Sequence, residues 1–315
     1  MKKFKRNVVA LVLAISMAFC VTGCNSEEKT TTGENEKKSS VVGETVYPIE
    51  VTDSQGNVTT ITEEPQKIIS VAPNITELIY ELGLQDKLVG RSEYCDYPSE
   101  VLEVEAVGTL FEPNLENIIA LEPDVVFASA CFDTDSVEMM KNAGIEVVVL
   151  DEQTEITGVY TMIETFGQVM NCNEEASACV EEMKATISSV EEKVKGLEAP
   201  TVYYVIGYGE YGDYTSGGDT YTGDMLQIAG GDNIAKDISG WGITLEELVE
   251  ADPEIIIISE YMKADFMSME TYKELTAVKE GNVYTIDINM LDRQGYRNAQ
   301  GIEELAKIFH PEAFE

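Results

Sequence analysis

Residues 115–126 recur in kind 130 positions further on, and few folds accommodate such a repeat. Leu115-Glu116-Asn117-Ile118 with the following Pro123-Asp124-Val125-Val126 matches Leu245-Glu246-Glu247-Leu248 with Pro253-Glu254-Ile255-Ile256. Each copy predicts a short amphipathic helix, a turn and a buried aliphatic strand. Around each copy the strand and helix patterns keep alternating, the signature of a parallel sheet covered on both faces. In the first half the expected strands are 67–71, 88–90, 125–128 and 146–150, with helices at 74–82, 115–121 and 136–142. Asn74 and Glu77 have the spacing of a capping box for the first of these helices. In the second half strands are expected at 202–206, 255–259 and 283–286, with helices at 223–229 and 296–309. A hairpin of 46–51 and 58–61 precedes both halves.

Between the two copies runs Asn173 to Gly196, with apolar residues at Ala176, Cys179, Val180, Met183, Ile187, Val190 and Val194. Spacings of three and four place them on one helical face. Asn173 is the expected N-cap, Glu174 and Glu175 suit the positive end of the helix dipole, and Lys193, Lys195 and Gly196 suit the other end. At about 1.5 Å per residue such a helix spans roughly 33 Å. The expected fold is α/β: two lobes with parallel sheets, joined by this one long helix, with a ligand cleft beyond the carboxyl ends of the strands.

The chain begins with Lys2, Lys3, Lys5 and Arg6 followed by an apolar run, Val8 to Phe19, too short to span a membrane. This is the pattern of a secretion signal over 1–23. Its end, Val21-Thr22-Gly23-Cys24, resembles the lipobox of bacterial lipoproteins, which makes Cys24 the expected lipid anchor and the location extracytoplasmic, at the cell membrane. Acyl chains contribute about 0.8 kcal/mol per buried CH₂. Residues 24–45 are rich in Ser, Thr, Glu, Lys and Gly and predict a disordered tether. The remaining divisions are a first lobe at 46–151, connecting helices at 152–198 and a second lobe at 199–315.

With 58 acidic against 21 basic residues the formal net charge is −37, and losing the leader's basic residues makes the body more acidic still. That excludes a nucleic-acid partner and favours one that presents arginines, unless the acidity is only a solvated surface. Cys172 and Cys179 are spaced too far apart on a helix for a disulfide, and Cys95 and Cys131 fall in expected loops where they can pair or stay free. Neither a CxxC pattern nor a Cys/His cluster suggests zinc. His310, the single histidine, sits at a helix end as a cap or surface residue.

An enzymatic alternative is carried by Gly207-Tyr208-Gly209-Glu210-Tyr211-Gly212, which fits the GxGxxG of dinucleotide-binding folds. The residues that follow, Asp213 to Gly218, continue as a loop where the motif requires a helix N-terminus. A second alternative is a surface receptor or adhesin without transport.

The runs KIISVAPNITELIYELGL, RSEYCDYP, PNLENIIALEPDVVFAS, GDMLQIAGGDNIAKDISGW, TLEELVEADPEIIII and RQGYRNAQGIEELAKIFHPE resemble the substrate-binding proteins of ABC importers for cobalamin, ferric siderophores and heme. The resemblance covers about 46–315 and implies two Rossmann-like lobes, restricted hinge motion, a metal chelate as cargo and a membrane permease as partner. It implies no catalysis and no cofactor beyond the Co or Fe of the cargo. Glu116 and Glu246 match one position per lobe that docks onto arginines of the permease, although a first-turn carboxylate also suits the helix dipole. Tyr94 matches a ligand-contacting aromatic. Leu110 and Ser129 fall where cobalamin-binding members tend to carry tryptophan, a departure that Phe111, Tyr208 and Tyr211 can offset. Tyr214 precedes the Thr-Ser-Gly run at the cleft. Asn289, Arg293 and Arg297 match polar positions facing the cleft, where a guanidinium suits a carboxylate or propionate, and Arg91 is a lesser candidate.

Overall fold

The computed structural model describes residues 43–129, 134–151 and 154–315. The first lobe opens with an antiparallel hairpin of β1 (Ile49–Thr52) and β2 (Val58–Ile61). It continues through β3 (Ile68–Ser70), α1 (Pro73–Glu81), β4 (Leu88–Arg91), α2 (Leu115–Ala120), β5 (Val125–Ala128), α3 (Thr134–Asn142) and β6 (Glu146–Val149). Two helices follow, α4 (Ile156–Met170) and α5 (Asn173–Val194). The second lobe runs β7 (Thr201–Tyr204), β8 (Asp213–Tyr214), α6 (Tyr221–Ile228), β9 (Asp232–Asn233), β10 (Gly242–Ile243), α7 (Leu245–Ala251) and β11 (Ile255–Ile258). It ends with α8 (Glu260–Ser268), α9 (Thr276–Glu280), β12 (Val283–Thr285), α10 (Asn289–Asp292) and α11 (Asn298–Phe309). Strand β9 and helices α8 to α10 are too short or too weakly periodic to be read from sequence.

Each lobe is built on a four-stranded, wholly parallel sheet, ordered β4-β3-β5-β6 in the first and β9-β7-β11-β12 in the second. Counted from each lobe's own first strand, both orders are 2-1-3-4. The sequence repeat is therefore a repeat of topology, with α2–β5 and α7–β11 in the same place. Its caps correspond too: Asn114 accepts from the Asn117 amide, and Thr244 accepts from the Glu247 amide in a complete capping box.

Alternation along the strands divides the core into three clusters. Ile69, Val126 and Val147 close the outer face of the first sheet, and Tyr203, Ile256 and Ile258 that of the second. The alternate residues, Ile68, Val125 and Phe127 in one lobe and Val202, Tyr204, Ile255 and Ile257 in the other, belong to a single core shared with α1, α4, α5 and α11. Met183, Ile187 and Val190 of α5 are buried within it. The long helix thus joins the lobes as one member of a helical layer rather than as a free-standing strut. Asp224 of α6 reinforces the junction by accepting the Ile156 amide at 3.0 Å, at the start of α4.

Two expected caps are corrected. Asn173 does not cap α5: it is the first helical residue, Cys172 holds the cap position, and the Asn173 side-chain amide donates to the Gly43 carbonyl at 2.7 Å and to the Thr45 hydroxyl at 2.9 Å. The Thr45 amide donates in turn to Asn171 Oδ1 at 2.7 Å, so residues 43–45, expected in the tether, are bonded to the folded body. The expected signal and lipid anchor at Cys24, the rest of the expected tether and Cys131 lie outside the described residues. Asn74 and Glu77 form no capping box on α1; both are buried and engaged by the other lobe. Cys95 is a free thiol in the core, 1% exposed, taking the Thr76 hydroxyl at 3.0 Å. His310 follows α11 as its cap residue but is buried, 3.0 Å from the Gly230 carbonyl, rather than at the surface.

Candidate functional site

In parallel sheets the loops at the carboxyl ends of the strands are free of the ladder and can carry a site. A cleft of about 730 Å³ lies there, between the lobes. The first lobe lines it with Pro73 and Asn74 after β3, with Leu110, with Ser129 after β5 and with Asp151 after β6. The second lobe lines it with Asp219, Thr220, Tyr221, Gly240, Trp241, Asp292, Arg293 and Gln294.

The second lobe's wall depends on close backbone contact. The Gly217 amide donates to the Gly240 carbonyl at 2.8 Å, and a Cβ at Gly218 would stand 1.9 Å from the Lys236 carbonyl oxygen. Only glycine permits that approach. It brings Asp219 beside Trp241: the Gly240 amide donates to Asp219 Oδ1 at 2.7 Å and Ser239 Oγ to Oδ2 at 2.5 Å. Those two donors, the hydroxyl first, hold the Asp219 carboxyl below its usual range. Across the cleft floor the Tyr204 hydroxyl donates to Asp292 Oδ1 at 2.6 Å. Burial among protein groups raises the Asp292 carboxyl, while that bond and the nearby Arg293 charge pull the other way.

The lobes are clasped beside the cleft by an ion network. Arg293 Nη1 lies 2.7 Å from Glu77 Oε1, and its Nη2 lies 2.8 Å from Asp96 Oδ1. Arg297 Nε stands 3.3 Å from Glu77 Oε2 and its Nη2 stands 2.8 Å from Asp287, while its guanidinium lies over the Tyr97 ring at 4.2 Å. Asn74 Nδ2 adds a bond to the Gln294 carbonyl at 2.9 Å. Burial pushes the Glu77 carboxyl above its ordinary value despite the pull of both arginines.

Of the residues expected to contact ligand, Leu110, Ser129 and Arg293 line the cleft. Tyr94 and Phe111 meet edge to face at 6.5 Å, and the Tyr94 carbonyl takes a bond from Arg293. Both rings are substantially exposed and neither lines the cleft, though Phe111 follows the lining residue Leu110 in the chain. The others do not line it either. Tyr214 lies across Gly207 with its hydroxyl on the Tyr211 carbonyl. Asn289 starts α10 with its amide on Asp287. Arg297 is 4% exposed and held in the ion network by Glu77 and Asp287, although its Nε makes no hydrogen bond. Arg91 is buried and clamps the loop after β4 through the Val101 and Ser92 carbonyls. Tyr208 packs against Phe266 and Tyr272, and Tyr211 is exposed away from the lining. The glycines from 207 to 212 lead into β8, with no helix N-terminus behind them.

Sequence reasoning missed Trp241, Asp219 and Asp292. The chain's single tryptophan, in the run Ile238-Ser239-Gly240-Trp241, was the available signal; the two aspartates carry none.

Glu116 and Glu246 are exposed in the first turns of α2 and α7. Each of these helices runs antiparallel to the strand after it, so both N-termini face the end of the molecule where the cleft opens. One turn further on, Ile119 and Val249 occupy equivalent positions and are 45% and 52% exposed. A carboxylate and an apolar side chain three residues apart share a helix face, and the two lobes present the same pair.

A family model described as periplasmic binding protein matches residues 68–289. An uncharacterized ABC transporter substrate-binding lipoprotein of Bacillus subtilis is 32% identical, with both chains covered in full. The vitamin B12-binding protein of Vibrio campbellii is 28% identical over 78% of this chain and 89% of its own. The crystal structure of the periplasmic vitamin B12-binding protein of Vibrio cholerae superposes with a TM-score of 0.68 at 24% identity, over 80% of this chain and 98% of that one, a likeness of fold.

Proposed function

The chain belongs to the periplasmic binding protein family, and on that premise we propose that it is the extracytoplasmic binding component of an ABC importer. Its cargo is a metal chelate of the cobalamin, heme or ferric siderophore kind, held between the lobes and delivered to a membrane permease. The observation that carries this reading is the cleft. Its volume suits a large organic ligand, it opens at the carboxyl ends of both sheets, and an indole stands on its wall. Leu110, Ser129, Trp241 and Arg293 form the ligand site, with Tyr94 and Phe111 beside it. The absence of a helix after the glycines of 207–212 supports binding over a dinucleotide-dependent reaction.

Glu116 and Glu246 engage arginines of the permease, one per lobe, with Ile119 and Val249 packing beside them. The equivalence of the two helices supports this, because a partner of two similar halves meets the same pair twice. Cys24 carries the lipid that keeps the protein at the membrane surface. The test is uptake of labelled chelate by cells carrying Glu116→Lys and Glu246→Lys together, beside ligand titration of the same purified variant. Uptake is lost while affinity is unchanged. Normal uptake by the double variant would refute docking, and saturation of the wild-type protein by NADH alone would refute the importer reading.

A further inference from the structure

The cleft's charge narrows the class of chelate it can take. Among the described lining residues the side chains that carry charge at neutral pH are three carboxylates, Asp151, Asp219 and Asp292, and one guanidinium, Arg293. That guanidinium is already doubly paired, at 2.7 Å to Glu77 and 2.8 Å to Asp96. Glu77 is 2% exposed, so a ligand anion that drew Arg293 away would leave a buried carboxylate without its closest partner, a costly exchange. Arg297 cannot substitute, being sealed between Glu77, Asp287 and the Tyr97 ring.

The flanking sequence supplies no other cation. Residues 124–140 and 146–160, which contain Ser129 and Asp151, include neither lysine nor arginine. From 196 to 262, the stretch that provides Asp219, Tyr221 and Trp241, the one basic residue is Lys236, and it pairs with Asp232 at 2.6 Å.

Resting on the importer reading, we propose that this site selects neutral or cationic metal chelates whose periphery donates hydrogen bonds, such as carboxamide-bearing macrocycles, and rejects polyanionic chelates. Carboxylates on the wall accept from amide or ammonium donors of the cargo. A chelate carrying propionates or catecholate charges meets like charge with no free guanidinium, and such juxtaposition is strongly unfavourable in a partly desolvated cleft.

The test uses the full-length protein in a neutral detergent, following Trp241 fluorescence and ligand absorbance. The probes are aquacobinamide as a cationic corrinoid, a neutral ferric trihydroxamate and a trianionic ferric tricatecholate. At least one of the first two saturates the protein, and the tricatecholate binds at least about a hundredfold more weakly. Raising the salt concentration weakens binding of the cationic probe. The combined variant Asp219→Asn and Asp292→Asn, checked as folded by circular dichroism, loses about tenfold in affinity for the cation and less than about threefold for the neutral chelate. Saturable binding of the tricatecholate as tight as that of the other probes overturns the charge selection and leaves the importer reading standing. Salt-independent binding of the cation, or unchanged cation affinity in the folded double variant, also overturns the charge selection. Saturation by none of the three probes overturns this inference and leaves the importer reading standing, because heme is not among the probes.

Discussion

Replacing Trp241 by alanine tests whether the cleft wall touches cargo. The residue is 48% exposed, and a tryptophan offers about 250 Å² of contact surface, so about 120 Å² remains for a ligand to cover. At about 25 cal/mol per Å² full coverage contributes about 3 kcal/mol, and half coverage about 1.5 kcal/mol. Trp241→Ala is therefore expected to raise Kd between about tenfold and a hundredfold. The backbone does not depend on the indole: Thr215 donates to the Trp241 carbonyl at 2.9 Å and Gly240 donates to Asp219, so the loop keeps its place. The buried half of the side chain contributes to folding as well. Affinity is thus measured by ligand absorbance well below the unfolding midpoint, with circular dichroism confirming the fold, and Trp241→Phe restores most of the loss. A folded alanine variant that binds within threefold of wild type would show that the indole is not part of the site.

Three further outcomes follow from the packing and charge. Burial already raises the Glu77 carboxyl against the pull of two arginines, so Glu77→Gln is expected to change the urea unfolding free energy by less than about 1 kcal/mol. Glu77→Ala, which opens a cavity and orphans the guanidiniums, costs about 3 to 5 kcal/mol; equal losses in the two variants would contradict this balance. Met183→Pro breaks α5 inside the shared core, where Met183 is 3% exposed. It should lower stability by about 3 kcal/mol or more and reduce ligand binding along with transport, and retention of full affinity would show that the helical layer does not hold the cleft together. Bonds from Lys87 and then Asn171 hold the Glu64 carboxyl down at about 2, from an ordinary 4.5. A depressed folded value means that this stabilisation is present above pH 4.5 and is lost as pH falls toward 2. The pair is partly exposed, so the effect is modest and screened by salt. Acid unfolding curves of Glu64→Gln should be flatter across that interval, and an unchanged slope would sink the assignment.

The fold was legible where its causes are local. The caps at Asn114 and Thr244, the aliphatic runs of β5 and β11 and the face of α5 each follow from residues within one or two turns of one another. Asn74 and Glu77 carry the same local signature as the Thr244 box, yet the bond is not made. A stronger claim comes from Arg293 and Arg297, more than two hundred positions away in the chain. Asn173 was likewise taken by Gly43 and Thr45. The candidate site divides in the same way: Leu110, Ser129 and Arg293 reach the cleft, while Arg91 and Arg297 are buried against protein partners, Arg91 on the Val101 and Ser92 carbonyls and Arg297 on Asp287.

From the sequence alone came two like lobes, the helix between them, the equivalence of Glu116 with Glu246 and the excess of acid, because periodicity, repeats and net charge are properties of the linear chain. Only the tertiary structure decided that α5 lies within a core common to both lobes, that Trp241 and Asp219 stand side by side on the cleft wall, and that the cleft's guanidinium is already paired. Those outcomes depend on which side chain reaches a partner first across long stretches of chain. A charged group with two possible partners goes to the one that packing brings within about 3 Å, where the Coulomb attraction offsets the cost of leaving water.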